Sequence, residues 1–112
     1  MAGVLRGEVC WADLNPVLGS EQSGRRPVLV ISHDVFNDRS GTVIAMAITS
    51  QPQKVTFPLS LEITEHGLPK RSWIKTSQVR TLSTLRLERL ITRLSPELVN
   101  QAVDGLSEVV GA

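Results

Sequence analysis

One stretch of this chain carries a helical period, and nearly everything before it is cut into apolar runs too short for a helix. Leu98, Ala102, Leu106 and Val109 recur on one helical face, with Val99, Val103 and Val110 beside it. Ser95 can cap this helix, Pro96 suits its first position, and Glu97 favours the positive end of the helix dipole. Gly111 closes it. The runs upstream predict strands over Val9–Leu14, Pro27–Ser32, Thr42–Ile48, Phe57–Ile63, Ser72–Thr76 and Val79–Leu82, with a weaker one at Leu90–Leu94. A break is expected near Ser77 and Gln78. Four successive apolar residues, Val28 to Ile31, predict a strand buried on both faces. Pro58 predicts an edge strand or a strand start. Asp34 to Gly41 reads as a connection with one helical turn, and His66 to Pro69 as a turn. The fold class expected is mainly β with helices: a small, curled antiparallel sheet with a C-terminal helix. No repeat or linker divides residues 1–112, so one domain is expected.

A net charge of +1 excludes a general polyanion sponge, so any nucleic-acid binding must rest on local charge placement. Nine of the twelve basic residues are arginine, which favours bidentate phosphate contacts over diffuse attraction. A single cysteine, Cys10, rules out an internal disulfide. With only His33 and His66 beside it, it forms no zinc cluster, and it is expected to be a small packing residue. Asp34 and Asp38 are a turn pair and a weak metal site. No metal and no cofactor are expected. No apolar stretch approaches the roughly 20 residues of a membrane span. The N-terminus lacks the apolar region of a secretory signal, so the expected location is the cytoplasm, with no membrane partner.

The functional signal lies in Gly19 to Ile31, GSEQSGRRPVLVI. A polar loop with two glycines feeds a buried strand through Pro27. Arg25 and Arg26 stand at the hinge, where a rigid element holds two permanently charged forks that match phosphate geometry. Trp11 and Trp73 are read as core or interface packing rather than base-stacking platforms.

The order R-G-E-V-x-W-A-D-L-x-P, then G-S-E-Q-x-G-x-R-P-V-L-V-I, then I-T-x-Q resembles the MazF/PemK family of toxin endoribonucleases. SQVRTLS, Ser77 to Ser83, fits it too, and the resemblance covers essentially the whole chain. It implies an SH3-like barrel with added helices, in the group shared by MazF and the gyrase poison CcdB. It also implies a homodimer whose subunits together form an RNA-binding groove. The Ser77–Ser83 segment, with Val79 and Leu82, and the C-terminal helix end are the expected dimer contact. A cognate antitoxin would supply a segment that threads the groove and displaces the loop from Leu18 to Arg25.

The resemblance assigns catalysis to Arg26, from the R-P motif, and Thr49, from the I-T-x-Q motif. Metal-free RNA cleavage starts with attack of a ribose 2′-OH on its own 3′-phosphate. It needs a proton acceptor, charge neutralisation at phosphorus, and help for the departing oxygen. Arg26 can neutralise the phosphorane oxygens and Thr49 can position the phosphate or the 2′-OH. Glu21 is the carboxylate with plausible reach, as proton acceptor or loop holder. His33 and His66 read as surface residues. Arg25 occupies a variable position and is expected to bind RNA. Gln22, Ser50, Gln51 and Gln78 offer amides and hydroxyls suited to base edges in single-stranded mRNA. A CcdB-like protein-targeting poison and a non-catalytic SH3-like module remain alternatives. The cleavage motif is not spelled in the sequence.

Overall fold

The computed structural model describes residues 3–14 and 24–112. Among these, six strands form one antiparallel sheet: β1 (Glu8–Asp13), β2 (Arg25–Val30), β3 (Thr42–Thr49), β4 (Ser60–Glu62), β5 (Trp73–Ser83) and β6 (Leu87–Arg93). Helix α1 (Asp34–Ser40) joins β2 to β3, and α2 (Pro96–Val110) follows β6. The strand order is β4-β5-β3-β2-β1-β6.

A short corner forces the sheet to curl. β5 and β6 sit at opposite ends of the array β5-β3-β2-β1-β6, yet only the 3-10 turn Thr84–Arg86 joins them. In a flat sheet they would lie about 19 Å apart, at about 4.8 Å per strand. Four residue steps at the 3-10 rise cover about 8 Å. The turn is tied down where it leaves β5: Ser83 Oγ accepts from Leu85 N (3.2 Å), and Thr84 N donates to Gly41 O (3.0 Å). The result is the expected curled sheet with helices, its edges β4 and β6 left unjoined.

Curling gives the sheet two buried faces. Cys10, Ala12, Val28, Val30, Val43, Ala45 and Leu82 pack on one, with Leu14 and Leu87. Val9, Leu29, Met46, Ile48 and Ile74 pack on the other, under Leu98, Val99 and Ala102 of α2. The apolar run of β2 is thus buried on both sides, as its sequence predicts. β2 starts two residues earlier than expected because Asp13 and Ala12 pair with Arg25 and Arg26.

α2 begins and ends where its caps predict. Ser95 Oγ accepts from Leu98 N (3.2 Å), and Gly111 takes a left-handed conformation at the C-cap. Leu98, Val99, Ala102 and Gly105 are buried, whereas Val109 and Val110 are exposed. α1 is longer than the expected single turn. His33 caps it through Nδ1, which accepts from Val35 N (3.1 Å).

Two strand readings change. The break expected at Ser77 and Gln78 is a bulge within one continuous strand. Met46 pairs with Val79 and Ala47 with Lys75, so Thr76, Ser77 and Gln78 fall between consecutive partners. Thr76 instead bonds the segment before β4: its N donates to Leu59 O (3.2 Å) and its Oγ1 donates to Pro58 O. β4 is shorter than Phe57–Ile63 because this anchored segment is irregular up to Ser60, leaving Phe57 and Leu59 exposed. It is an edge strand, as Pro58 suggests.

Two predictions follow from this packing. Gly105 lies in mid-helix, where alanine is ordinarily favoured by about 1 kcal/mol. A Cβ there would stand 2.8 Å from Pro58 O, a carbonyl already pinned by Thr76. Gly105→Ala should therefore lower the melting temperature, at a cost of about 1–3 kcal/mol; a rise in melting temperature would contradict the contact. Cys10 is fully buried, and burial, then the neighbouring Glu8 carboxylate, push its thiol from 9.0 up to about 11. The folded chain holds that proton more tightly than the unfolded one. The contribution is whole below pH 9 and is lost as pH rises towards 11, amounting to roughly 2–3 kcal/mol. The stability difference between wild type and Cys10→Ala should shift against wild type across that window in urea titrations. A constant difference would show that the thiol is not perturbed.

Candidate active site

β2 and β3 bring Arg25, Arg26 and Thr49 to one end of the sheet. Arg26 pairs with Ala12, which is fully buried in the first core cluster. Arg26 therefore belongs to that face, with Val28 and Val30. Val28 pairs with Ala47, the last partners β2 and β3 share, and two residues beyond them on each strand stand Arg26 and Thr49, on the same face by alternation. Thr49 is the last residue of β3 and is buried. Its Oγ1 accepts from Gln51 N (3.2 Å), which fixes the hydroxyl and leaves its proton available to an outside acceptor. Gln78 reaches the same face from the β5 bulge, lining a shallow depression with Val28, Ala47 and Arg80.

Arg25, one residue away, alternates to the opposite face. Its exposed guanidinium forms a two-point ion pair with Glu88 of β6, with Nε 3.0 Å from Oε1. The hydrogen bonds and charge of Glu88 raise its already high pKa further. Ser50 and Gln51 are exposed beyond the end of β3. The Gln51 backbone is held on both sides, since its carbonyl accepts from Gln53 Nε2 (2.9 Å). Glu21 and Gln22 lie outside the described residues, as does most of the loop from Leu18 to Arg25.

The root of that loop is clamped. Leu14 N donates to Gly24 O (3.0 Å) across the neck. Arg80 of β5 donates through Nη1 to Leu14 O (2.8 Å), and Arg86 of the 3-10 turn donates to Asp13 O (3.1 Å). Neither arginine stands out in the sequence as a positioning residue, because their targets are backbone carbonyls more than sixty positions away.

Beside the clamp is a cavity of about 320 Å3. Arg25, Arg26, Pro27 and Trp11 line it from β1 and β2, Ile48 and Ser50 from the end of β3, and Ile91 from β6. Leu68, Pro69, Lys70 and Ser72 close it from the connection before β5. That connection lies against β6: at Gly67, with φ +120°, a Cβ would stand 2.3 Å from Thr92 Oγ1. Of the predicted site residues the cavity gathers Arg25, Arg26 and Ser50, and it adds Trp11 and Lys70. Thr49 and Gln78 lie on the other side of the sheet end.

A larger concavity, about 770 Å3, surrounds the start of α2 and contains none of the predicted site residues. Its charges are mixed: Arg6, Arg93 and His33 face Asp34 and Glu65. Both carboxylates already accept backbone amides, from Arg6 N (2.7 Å) and Ser95 N (2.8 Å). Among the described residues, no group of three or more His, Cys, Asp or Glu side chains is placed to hold a metal. No helix there is long and apolar enough to cross a membrane.

Comparison with known proteins gives this geometry a context. Endoribonuclease EndoA of Bacillus subtilis is 45% identical over 105 residues, covering 92% of this chain and 90% of the relative. The crystal structure of MazF from Deinococcus radiodurans superposes with a TM-score of 0.87 at 24% identity, covering both chains completely. A mycobacterial endoribonuclease solved with its cognate antitoxin superposes with a TM-score of 0.75 at 22% identity, covering 99% of this chain and 96% of that one. At those identities the two structures establish the shared fold. The family model for PemK-like, MazF-like toxins matches residues 5–110. With nearly the whole chain matched by that model and by a 45%-identical relative, the protein belongs to the PemK-like, MazF-like toxins of type II toxin–antitoxin systems.

Proposed function

We infer that the chain is an endoribonuclease and the toxin half of a toxin–antitoxin pair, and we propose that it cuts single-stranded mRNA by 2′-OH attack, without ribosome or metal. The reading is supported by the β2–β3 register, which directs Arg26 and Thr49 to one face at the same end of the sheet, next to a cavity lined by further cations. The 45%-identical relative is named an endoribonuclease. In the proposed reaction a base removes the 2′-OH proton and O2′ bonds to phosphorus. Arg26 neutralises the phosphorane oxygens and Thr49 donates its free proton to one of them. The P–O5′ bond then breaks, and O5′ takes up a proton. Glu21, in the loop between β1 and β2, is the proposed proton acceptor. Gln22, Arg25, Ser50, Gln51 and Gln78 hold the strand. The products are a 2′,3′-cyclic phosphate and a 5′-hydroxyl.

Arg26→Ala and Thr49→Ala should each remove most cleavage, by roughly 10²–10³ for loss of one charge-stabilising donor. Arg25→Ala should mainly weaken binding, since Arg25 lies on the face opposite Thr49 and lines the neighbouring cavity. A 2′-deoxy nucleotide just 5′ of the cut should abolish cutting while leaving most affinity, and EDTA should leave the rate unchanged. Cleavage of the deoxy strand, or 5′-phosphate ends, would overturn the mechanism. A folded protein that cuts no long mixed-sequence RNA would restore the readings as a CcdB-like poison or a binding module.

The proposed partners are an antitoxin, lodged in the RNA groove, and a second copy of the chain. Of the two residues expected to supply subunit contacts, Leu82 is buried in the chain's own core and Val79 is half-buried, packing against the second cluster. Exposed apolar side chains that could serve a second copy include Leu85, 93% exposed, Leu90, and Val109 and Val110 at the end of α2. Light scattering should give twice the monomer mass at micromolar concentration, and Leu85→Glu should shift it towards monomer. A wild type that scatters as a monomer would remove the dimer.

A further inference from the structure

We propose that the cavity beside Arg26 is a nucleotide subsite in which one RNA base stacks on Trp11 while Lys70 and Arg25 meet its phosphates. This rests on the reading of the chain as an RNA-cutting enzyme; it adds Lys70 and gives Trp11 a stacking role in place of the packing role expected from the sequence.

The lining has two characters. Trp11, Leu68, Pro69 and Ile91 give it an apolar, partly aromatic wall. Lys70 brings a cation, Arg25 a second whose fork is shared with Glu88, and Arg26 joins the lining at the strand edge; among the described residues no carboxylate lines the cavity itself. A planar apolar body carrying negative charge satisfies both, and a nucleotide is such a group. The volume, about 320 Å3, lies within the range of small-ligand pockets. The larger concavity lacks this combination, because Asp34 and Glu65 share it with the arginines.

The two tryptophans are not equivalent. Trp73 is 8% exposed, and the Arg71 guanidinium lies 5.0 Å from its ring centroid while also pairing with Glu62. It is committed to structure. Trp11 is only half-buried, sits on β1 opposite Pro27, and contributes to the cavity wall. Base readout has donors and acceptors at hand. The Ser72 hydroxyl donates to Lys70 O (2.9 Å) and keeps its lone pairs, and Ser50 is exposed beside it. Arg26 is common to the cavity lining and to the face of Thr49, so a strand seated in the cavity passes the sheet end where the reaction is proposed.

The test uses the intact protein and a short single-stranded RNA spanning its own mapped cut site, made uncleavable by a 2′-deoxy substitution at the cut. A set of such RNAs carries an abasic nucleotide at each position in turn. Affinity is measured for wild type, Trp11→Phe, Trp11→Ala and Lys70→Gln, each checked for its melting temperature. One abasic position should weaken wild-type binding roughly 5- to 150-fold, as loss of a stacked base does. That same loss should vanish in Trp11→Ala and persist in Trp11→Phe. Lys70→Gln, at an exposed position that cannot unfold the chain, should weaken all RNAs alike and flatten the salt dependence. Additive losses at every position, or wild-type affinity in both Trp11→Ala and Lys70→Gln, would overturn the subsite. So would a Trp11→Ala that binds RNA normally and loses only an antitoxin peptide. Cleavage of long RNA by wild type is scored separately: its absence defeats the enzyme reading, whereas its presence with additive losses defeats only the subsite.

Discussion

The three-residue corner between β5 and β6 is the constraint on which the rest of the structure depends. It joins strands that a flat sheet would hold far apart, so the sheet can form only curled. Curling buries both of its faces, one against α2 and one against its own far strands. It also carries Arg80 and Arg86 round to the end of β1, where they hold two successive backbone carbonyls. Each such bond is modest alone. Together with the Leu14–Gly24 bond they fix where the chain leaves the sheet and where it returns. The side chains at the return point, Arg25 and Arg26, inherit that placement.

The same economy appears at the other edge. The bulge in β5 releases Thr76 from β3 and gives its N–H and hydroxyl to the segment before β4. That segment can approach α2 only where the helix has no side chain, at Gly105. A local polar feature, a helix glycine and a proline-containing edge are therefore one packing solution. The bulge also turns Gln78 towards the depression beside Ala47.

How legible this was differs by residue. The caps of α2 are local chemistry, and Ser95, Pro96 and Gly111 mark its limits without knowledge of the fold. The doubly buried run of β2 is equally local. The bulge was visible as a polar interruption at Ser77 and Gln78, but an interruption in one strand and a gap between two look alike until a partner strand supplies the register. Phe57 and Leu59 misled because apolar residues predict burial, whereas here they flank a carbonyl anchored by a distant threonine. Arg26 and Thr49 were named through resemblance to a family. That they share a face at one sheet end follows from register, which no reading of single segments supplies. Trp11 and Lys70 are 59 positions apart, and only the seating of Gly67 on Thr92 brings the second near the first.

The paired arginines show how a strand divides labour. Neighbours on a strand point to opposite faces, so two consecutive arginines at a strand start cannot both serve one pocket in the same way. Arg26 falls on the face of Thr49 and Gln78, with Ala12 at its back. Arg25 falls on the face of Pro27 and Trp11, where Glu88 holds its fork. An RNA strand crossing the end of the sheet would meet one cation on each side of it. Shifting β2 by one residue would exchange the two arginines and drive Val28 and Val30 out of their cluster. The placement of the two charges is therefore set by the burial of two valines and a leucine, and it is as secure as the core itself.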